Sequence, residues 1–238
     1  NPDALRSEPE GGERGQTLRR GSAWRVLLVL IIIGVCAFTL YRDPIALGLD
    51  LQGGVHVVLE ARETPQAPVT NETMERAIAV VERRVNGLGV AEPLIQREGA
   101  RRIVVELPGI TDPAQAVDVI GRTAQLEIKN PQGVTVLTGA DLQDARLGRD
   151  DLGRWTVDVT FTPEGARKFA RLTTQYVGQP IPHVLDGELL VNPVVQEPIT
   201  QGTGQISGAF TMEEARELAI LLKAGSLPVP LDVVEIRN

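Results

Sequence analysis

Apolar and polar positions are unevenly spread along this chain. Residues 1–22 set Asp3, Glu8, Glu10 and Glu13 against Arg6, Arg14, Arg19 and Arg20, carry several Gly and Pro, and show no apolar period. That pattern predicts a disordered tail. From Val26 to Tyr41 the sequence reads VLLVLIIIGVCAFTLY, uncharged between Arg25 and Arg42. Such a run rises about 24 Å at ~1.5 Å per residue, short of a ~30 Å hydrocarbon core. Adding Ala23 and Trp24, with Arg25 snorkelling, brings it close to sufficient. Trp24 and Tyr41 stand where interfacial aromatics belong. The pattern predicts a transmembrane helix over 23–41. Arg19, Arg20 and Arg25 precede it, while Arg42 and Asp43 cancel behind it. The positive-inside bias therefore places the N-terminus in the cytoplasm and residues 43–238 outside. The alternative is a cleaved signal peptide with Val35-Cys36-Ala37 as its cleavage region. The apolar run continues past that point, which favours the uncleaved anchor.

Beyond the apolar run the periods shorten and alternate. Val55 to Glu60 is β-branched and strand-like. Met74, Ile78, Val81, Val85 and Leu88 form one helical stripe, capped by Thr70 or Asn71 and ended by Gly87 and Gly89. Leu94–Arg97 and Arg101–Leu107 read as strands around the turn Glu98-Gly99. Asp112-Pro113 opens a second helix with Ala116, Val117 and Ile120 on its face, and Gln125–Lys129 reads as another strand. The order strand, helix, strand, strand, helix, strand predicts an α+β, ferredoxin-like base over 45–130. A second block follows. Val134–Leu137 and Trp155–Phe161 read as strands, and Thr162-Pro163 opens a helix ended by Gly178. Asp186-Gly187 joins two short strands in a hairpin. Gly202, Gly204 and Gly208 read as a mobile loop. Thr211 and Glu214 form a capping box for a helix ended by Gly225, and Leu231–Ile236 reads as a final strand. No fixed-period repeat is visible.

Composition narrows the function classes. The chain has 238 residues, a net charge of −7 and 3% aromatic residues, which excludes the basic, ring-rich face of a nucleic-acid binder. The single cysteine, Cys36, excludes an internal disulfide framework and a multi-cysteine zinc site. The two histidines, His56 and His183, are too far apart for a short metal motif; packing or a surface position accounts for each. The glycine-rich stretch 202–208 lacks a following Lys-Ser/Thr, and its third glycine falls one residue late for a dinucleotide fingerprint. Ser207 has no nucleophile elbow around it. The carboxylates Glu60, Asp118 and Asp158 have no signature spacing. These patterns predict no enzyme chemistry, no cofactor and no metal. Asp50 with Gly53-Gly54 reads as a structural turn, because Asp can hydrogen-bond the backbone two residues on and glycine permits backbone angles that other residues avoid.

These residues also carry a resemblance. Gly48-Leu49-Asp50-Leu51-Gln52-Gly53-Gly54 resembles the LGLDLxGG motif of the SecD family, accessory subunits of the bacterial Sec protein translocase. Gln52 stands where that family usually has Arg. Thr138–Leu142, Leu185–Gly187, Pro193–Val195, Ile206–Gly208 and Leu227–Leu231 resemble its TGADL, LDG, APVV, ISG and LPAPL segments, in the same order; Asn192 replaces a small residue. The resemblance runs from the apolar helix to residue 238. It implies a first transmembrane helix in the bacterial plasma membrane and a first extracytoplasmic domain made of a ferredoxin-like base and an inserted head. The head is expected over 131–225, with 231–236 returning as a strand of the base.

In such proteins that domain handles unfolded preprotein during proton-driven export. The partners implied are a SecF-like subunit, the Sec channel, the preprotein and the lipid bilayer. The first residue is Asn, and the further membrane helices bearing the family's proton-relay carboxylates do not follow, so a fragment without its own proton pathway is expected. No ATP site is readable either. Gly48, Leu49, Asp50, Gly53 and Gly54 are expected to be structural. Asn130 and Pro131, with Gly225 and Pro228, are expected hinge residues where the chain leaves and re-enters the base. The alternatives are a periplasmic domain of an efflux transporter of the same resistance-nodulation-division superfamily, and a secreted binding protein with a cleaved signal peptide.

Overall fold

The computed structural model describes residues 18–42, 53–65, 67–110 and 112–237. The chain divides into two compact units, residues 1–46 and 47–238. The first holds helix α1 (Leu18–Arg42), whose described side chains, Trp24 to Phe38, are all exposed. Among the described residues, no helix is long and apolar enough to cross a membrane.

The second unit is α+β. It opens with β1 (Gly54–Ala61), α2 (Asn71–Leu88), β2 (Leu94–Glu98), β3 (Arg102–Pro108) and α3 (Pro113–Gly121). The caps explain the boundaries. The Thr70 hydroxyl accepts the Thr73 N–H at 3.1 Å while the Thr73 hydroxyl accepts the Thr70 N–H at 2.8 Å, and Gly89 closes α2 in the left-handed conformation. Asp112 caps α3 through the Gln115 N–H, with Pro113 in the first turn. Strand alternation puts Val55, Val57 and Leu59 on one face beside Ile103, Val105 and Leu107, with Val57 opposite Val105 and Leu59 opposite Ile103. Met74, Ala77, Val81 and Val85 of α2 and Ala116 and Ile120 of α3 cover that face and complete a first core.

Next in chain order come β4 (Leu126–Lys129), β5 (Thr135–Thr138), β6 (Leu142–Arg149), β7 (Trp155–Phe161), α4 (Pro163–Gln175), β8 (His183–Leu185), β9 (Glu188–Val191), β10 (Thr203–Phe210) and α5 (Met212–Ala224). They form two antiparallel sheets, of order β5-β4-β8-β9 and β10-β7-β6. Their facing residues, with Phe169 and Leu172 of α4 and Leu218, Leu221 and Leu222 of α5, make a second core. The last strand, β11 (Leu231–Arg237), returns to the first sheet and pairs with β1, giving the order β11-β1-β3-β2.

Three sequence expectations are corrected here. Residues 125–129 do not complete the first sheet: Leu126 and Ile128 pair across to Leu185 and His183 and point into the second core, and β11 takes the place beside β1. The base therefore does not extend to residue 130. Asn130 and Pro131 are not at a crossing between the cores. They form the turn joining β4 to β5 inside one sheet, where the Asn130 carboxamide oxygen accepts the Gln132 and Val134 N–H groups at 3.1 and 2.9 Å. Gly202–Gly208 is not a loop; from Thr203 onward it is β10, paired with β7, and Gly204 and Ile206 turn toward Phe161 and the core.

The two cores meet at real crossings, residues 122–125 outward and 225–230 back. The Leu227 N–H donates to the Thr123 carbonyl at 2.9 Å, tying the strands of chain together. The fully buried Arg84 of α2 joins them further. Its guanidinium donates to the carbonyls of Val119 and Ile120 at 3.0 Å each, to that of Arg122, to that of Thr123 at 3.3 Å and to that of Gly225 at 3.0 Å. Burial pushes its pKa down to about 10, opposed by the nearby Asp186 carboxylate. Helices α2 and α5 also touch here: a Cβ on Gly87 would lie 2.9 Å from a methyl of Ile220.

Candidate functional site

The second core is not closed. A cavity of about 280 Å³ opens between its two sheets. Its interior is apolar: Leu126 and Ile128 come from β4, Val159 and Phe161 from β7, Phe169 from α4, and Ile206 from β10. Phe161 and Phe169 stack at 4.5 Å between ring centres. A Cβ at Gly204 would stand 3.3 Å from the Phe161 ring, so glycine keeps this wall against the aromatic pair. The exposed lining residues are Val194, Gln196, Glu197 and Gln205.

The wall that carries Pro193–Val195 is fixed by main-chain bonds. The Ile181 N–H donates to Pro193 at 2.9 Å, the Val195 N–H to Gln179 at 3.1 Å, and the Gly178 N–H to Val195 at 2.8 Å. One step on, the Ile199 N–H donates at 3.0 Å to the hydroxyl of Thr173, which is fully buried in α4. The other lining residue of note is His183. It lies on β8 opposite Ile128, is 5% exposed, and neither ring nitrogen has a hydrogen-bond partner. Burial lowers its pKa to about 4, so the ring is neutral near pH 7.

The sequence segments fall into distinct roles. Pro193–Val195 and Ile206 line the cavity. In Thr138–Leu142, the Asp141 carboxylate accepts the Thr138 N–H at 2.9 Å and pairs with Lys168 of α4 at 2.8 Å, while its carbonyl accepts the Thr162 N–H at 2.9 Å. Gly165 must be glycine there, since a Cβ would sit 2.3 Å from that carbonyl oxygen. In Leu185–Gly187, Asp186 accepts the N–H groups of Ala124 and Gln125 at 3.0 and 2.8 Å and so holds the outward crossing. Leu227, Val229 and Leu231 are buried in the first core.

Of the motif near the start, Gly48, Leu49 and Asp50 lie outside the described residues. Gly53 has φ +67°, and its carbonyl accepts the Gly109 N–H at 2.9 Å. Gly225 and Pro228 lie on the returning crossing. Among the described residues, no group of three His, Cys, Asp or Glu is placed to hold a metal ion. The sequence reading did not single out Phe161, Phe169 or His183 for the cavity, nor Arg84. An apolar strand or helix position carries no mark of a cavity, and an arginine in a helical stripe reads as surface.

An apolar cavity framed by two small sheets, on an α+β unit with a second core beside it, has the features of a binding module. The comparisons with known proteins give the family. Residues 122–229 match the family described as "SecDF, P1 head subdomain", and residues 74–133 match "Protein translocase subunit SecDF, P1 domain, N-terminal". The protein translocase subunit SecD of Acidaminococcus fermentans is 50% identical over 216 residues, covering 89% of this chain and 52% of its own. The protein translocase subunit SecDF of Thermus thermophilus is 44% identical, covering 82% and 31%. A solved structure described as that of "a membrane component SecDF that enhances protein export" superposes with a TM-score of 0.66 at 42% identity, covering 77% of this chain and 99% of that one. A second, of SecDF in a "Super-membrane-facing form", gives a TM-score of 0.72 at 39% identity, covering 92% and 35%. The chain belongs to the SecD/SecDF family. It spans about half the length of the curated SecD relatives it matches.

Proposed function

We propose that this chain is the anchored preprotein-handling part of a protein-export accessory subunit. The first core, with its two helices on one face of the β11-β1-β3-β2 sheet, is read as a ferredoxin-like base whose fourth strand is β11. The second core, residues 122–229, is read as the head. The head cavity takes apolar side chains of unfolded preprotein as it emerges from the Sec channel, and a SecF-like subunit completes the working assembly. The role needs binding and release but no catalysis, and the energy comes from the proton-motive force acting elsewhere.

The observation that carries this reading is the open apolar cavity, whose lining includes the family's Pro193–Val195 and Ile206 segments. Its volume suits one or two large side chains, and burying a Leu or Phe there contributes about 1.5–3 kcal/mol. That is enough for capture and weak enough for release. The support for a membrane anchor is the uncharged run Val26–Phe38 of helix α1, exposed throughout, although the described helix is too short in apolar residues to cross a membrane by itself. The arginines ahead of it support an extracytoplasmic location for residues 43–238.

Photo-crosslinking at Val194 tests the reading. A photoreactive residue there, in a subunit engaged with an arrested preprotein, is expected to cross-link to that preprotein, and the same residue placed at the exposed Leu94 of β2 or Val234 of β11 serves as the comparison. Cross-links from Leu94 or Val234 but never from Val194 overturn it.

A further inference from the structure

A cavity that only had to accept grease would be lined by apolar groups alone. This one includes His183, 95% buried by its 5% exposure, with both ring nitrogens lacking a hydrogen-bond partner. Buried polar groups are almost always hydrogen-bonded, and leaving one unpaired costs about 1–3 kcal/mol. An imidazole kept neutral here offers one donor and one acceptor, on nitrogens that point in different directions. A peptide C=O can accept from the one, or a peptide N–H donate to the other.

A second observation concerns the neighbouring wall. Strand β10 is the end strand of its sheet, bonded to β7 on one side only, and its residues Gly204, Gln205 and Ile206 line the cavity. That edge meets Val191 of β9 near Gly208 and has no hydrogen-bonded neighbour strand. An unbonded strand edge beside an apolar pocket is the arrangement by which extended peptides are recognised: main-chain bonds along the edge, a side chain in the pocket.

We propose that the head cavity receives its occupant as extended main chain, with His183 hydrogen-bonding one peptide group while the adjoining side chain fills the space beside Phe161 and Phe169. This rests on the reading of the cavity as a polypeptide site and adds the chemistry it recognises. The requirement is for a peptide bond at a fixed distance from an apolar side chain, independent of sequence, which is what a subunit serving many unfolded chains needs.

The test uses the full chain in detergent and a labelled ten-residue peptide of alternating Leu and Thr. N-phenyl-1-naphthylamine, apolar and without a peptide group, serves as the second probe. His183→Phe is expected to weaken peptide binding about tenfold and to change naphthylamine binding far less, since Phe keeps that wall apolar. With only two histidines in the chain, the ring ¹⁵N resonances of His183 are readable without substitution, and peptide addition is expected to shift them while those of His56 stay put. If the peptide binds the unaltered chain but His183→Phe binds it equally well, or the His183 resonances do not move, the anchor is overturned and the cavity remains a polypeptide site. If the peptide does not bind the unaltered chain at all, the polypeptide reading itself falls, and this inference with it.

Discussion

His183 shows how burial turns an ordinary residue into a sensitive one. In the unfolded chain its pKa is near 6.5; in the fold burial holds it at about 4. Between those values the unfolded state takes up a proton that the folded state refuses, so stability falls as the pH drops from about 6.5 toward about 4. The contribution is about 3 kcal/mol at most, fully present above pH 6.5. Melting temperatures at pH 7.5 and pH 5 are expected to differ more for the unaltered chain than for His183→Leu. Equal differences would mean the imidazole reaches solvent when charged. Gly53 makes a second residue-scale case. Its φ of +67° is left-handed, and open space surrounds the position a Cβ would take, so strain comes from the backbone alone. Gly53→Ala is expected to cost about 1 kcal/mol in urea unfolding, while an unchanged midpoint would show that the turn relaxes. The need for glycine here was legible from the adjacent pair Gly53-Gly54. The state of His183 was not, because a histidine between Pro182 and Val184 reads the same whether its ring is satisfied or not.

At the scale of elements, the first core was legible because its periods are clean. The α2 stripe and the alternation of β1 and β3 name their buried faces directly, and the caps at Thr70 and Asp112 mark where the helices start. Strand β6 was not legible. Its sequence, LQDARLGR, buries only Ala145 and keeps its other side chains wholly or partly exposed, so no alternation of apolar residues marks it. It is a strand because β7 supplies the pairing and α5 lies over it. The Gly-rich β10 failed in the opposite way: its glycines suggested flexibility, but at Gly204 glycine admits the aromatic pair beneath.

The assignment of β4 to the base failed because local pattern cannot say which sheet a strand joins. That choice is made by contacts far along the chain, chiefly Asp186 on the outward crossing and Arg84 on both. Arg84 spans five carbonyls from two separate segments, and replacing it removes a donor from each, with the Thr123 carbonyl alone keeping the Leu227 N–H named above. Arg84→Met is expected to destabilise the fold by about 3–5 kcal/mol, with Arg84→Lys losing less because one ammonium can still reach some of the carbonyls. Urea unfolding of the two variants checks this. A Met variant within about 0.5 kcal/mol of the unaltered chain would show that the crossings hold without the guanidinium.

For the whole molecule, the question is whether the head must move relative to the base. Of the residues expected as hinges from Gly and Pro content, Gly225 and Pro228 lie on the stretch that returns to the first core, while Asn130 and Pro131 form the turn between β4 and β5. The true outward crossing, residues 122–125, has no Gly or Pro, because its ends are held by hydrogen bonds to Arg84 and Asp186. A swing of the head has to release at least the Arg84 bonds that reach Gly225 and Thr123, together with the contact of Ile220 on Gly87 and the bond from the Gln115 carboxamide to Glu217. Apolar packing joins them as well: Val119 of α3 lies in the second core, Ala224 of α5 in the first, and Leu88 packs against both, so a swing driven from outside the domain has to open that contact too. Gln115 lies on α3 of the base and Glu217 on α5 of the head, which makes the pair a natural place for a removable lock. With Cys36→Ala as background, Gln115→Cys and Glu217→Cys joined by a short reducible cross-linker would hold head and base as they stand here. In cells that depend on the full subunit for export, the cross-linked form is expected to secrete markedly less protein than the same form after reduction, while its membrane level stays constant. Equal export before and after reduction would mean that preprotein is handled by a head fixed on its base, and the junction's polar contacts would then be the permanent seams of one rigid domain.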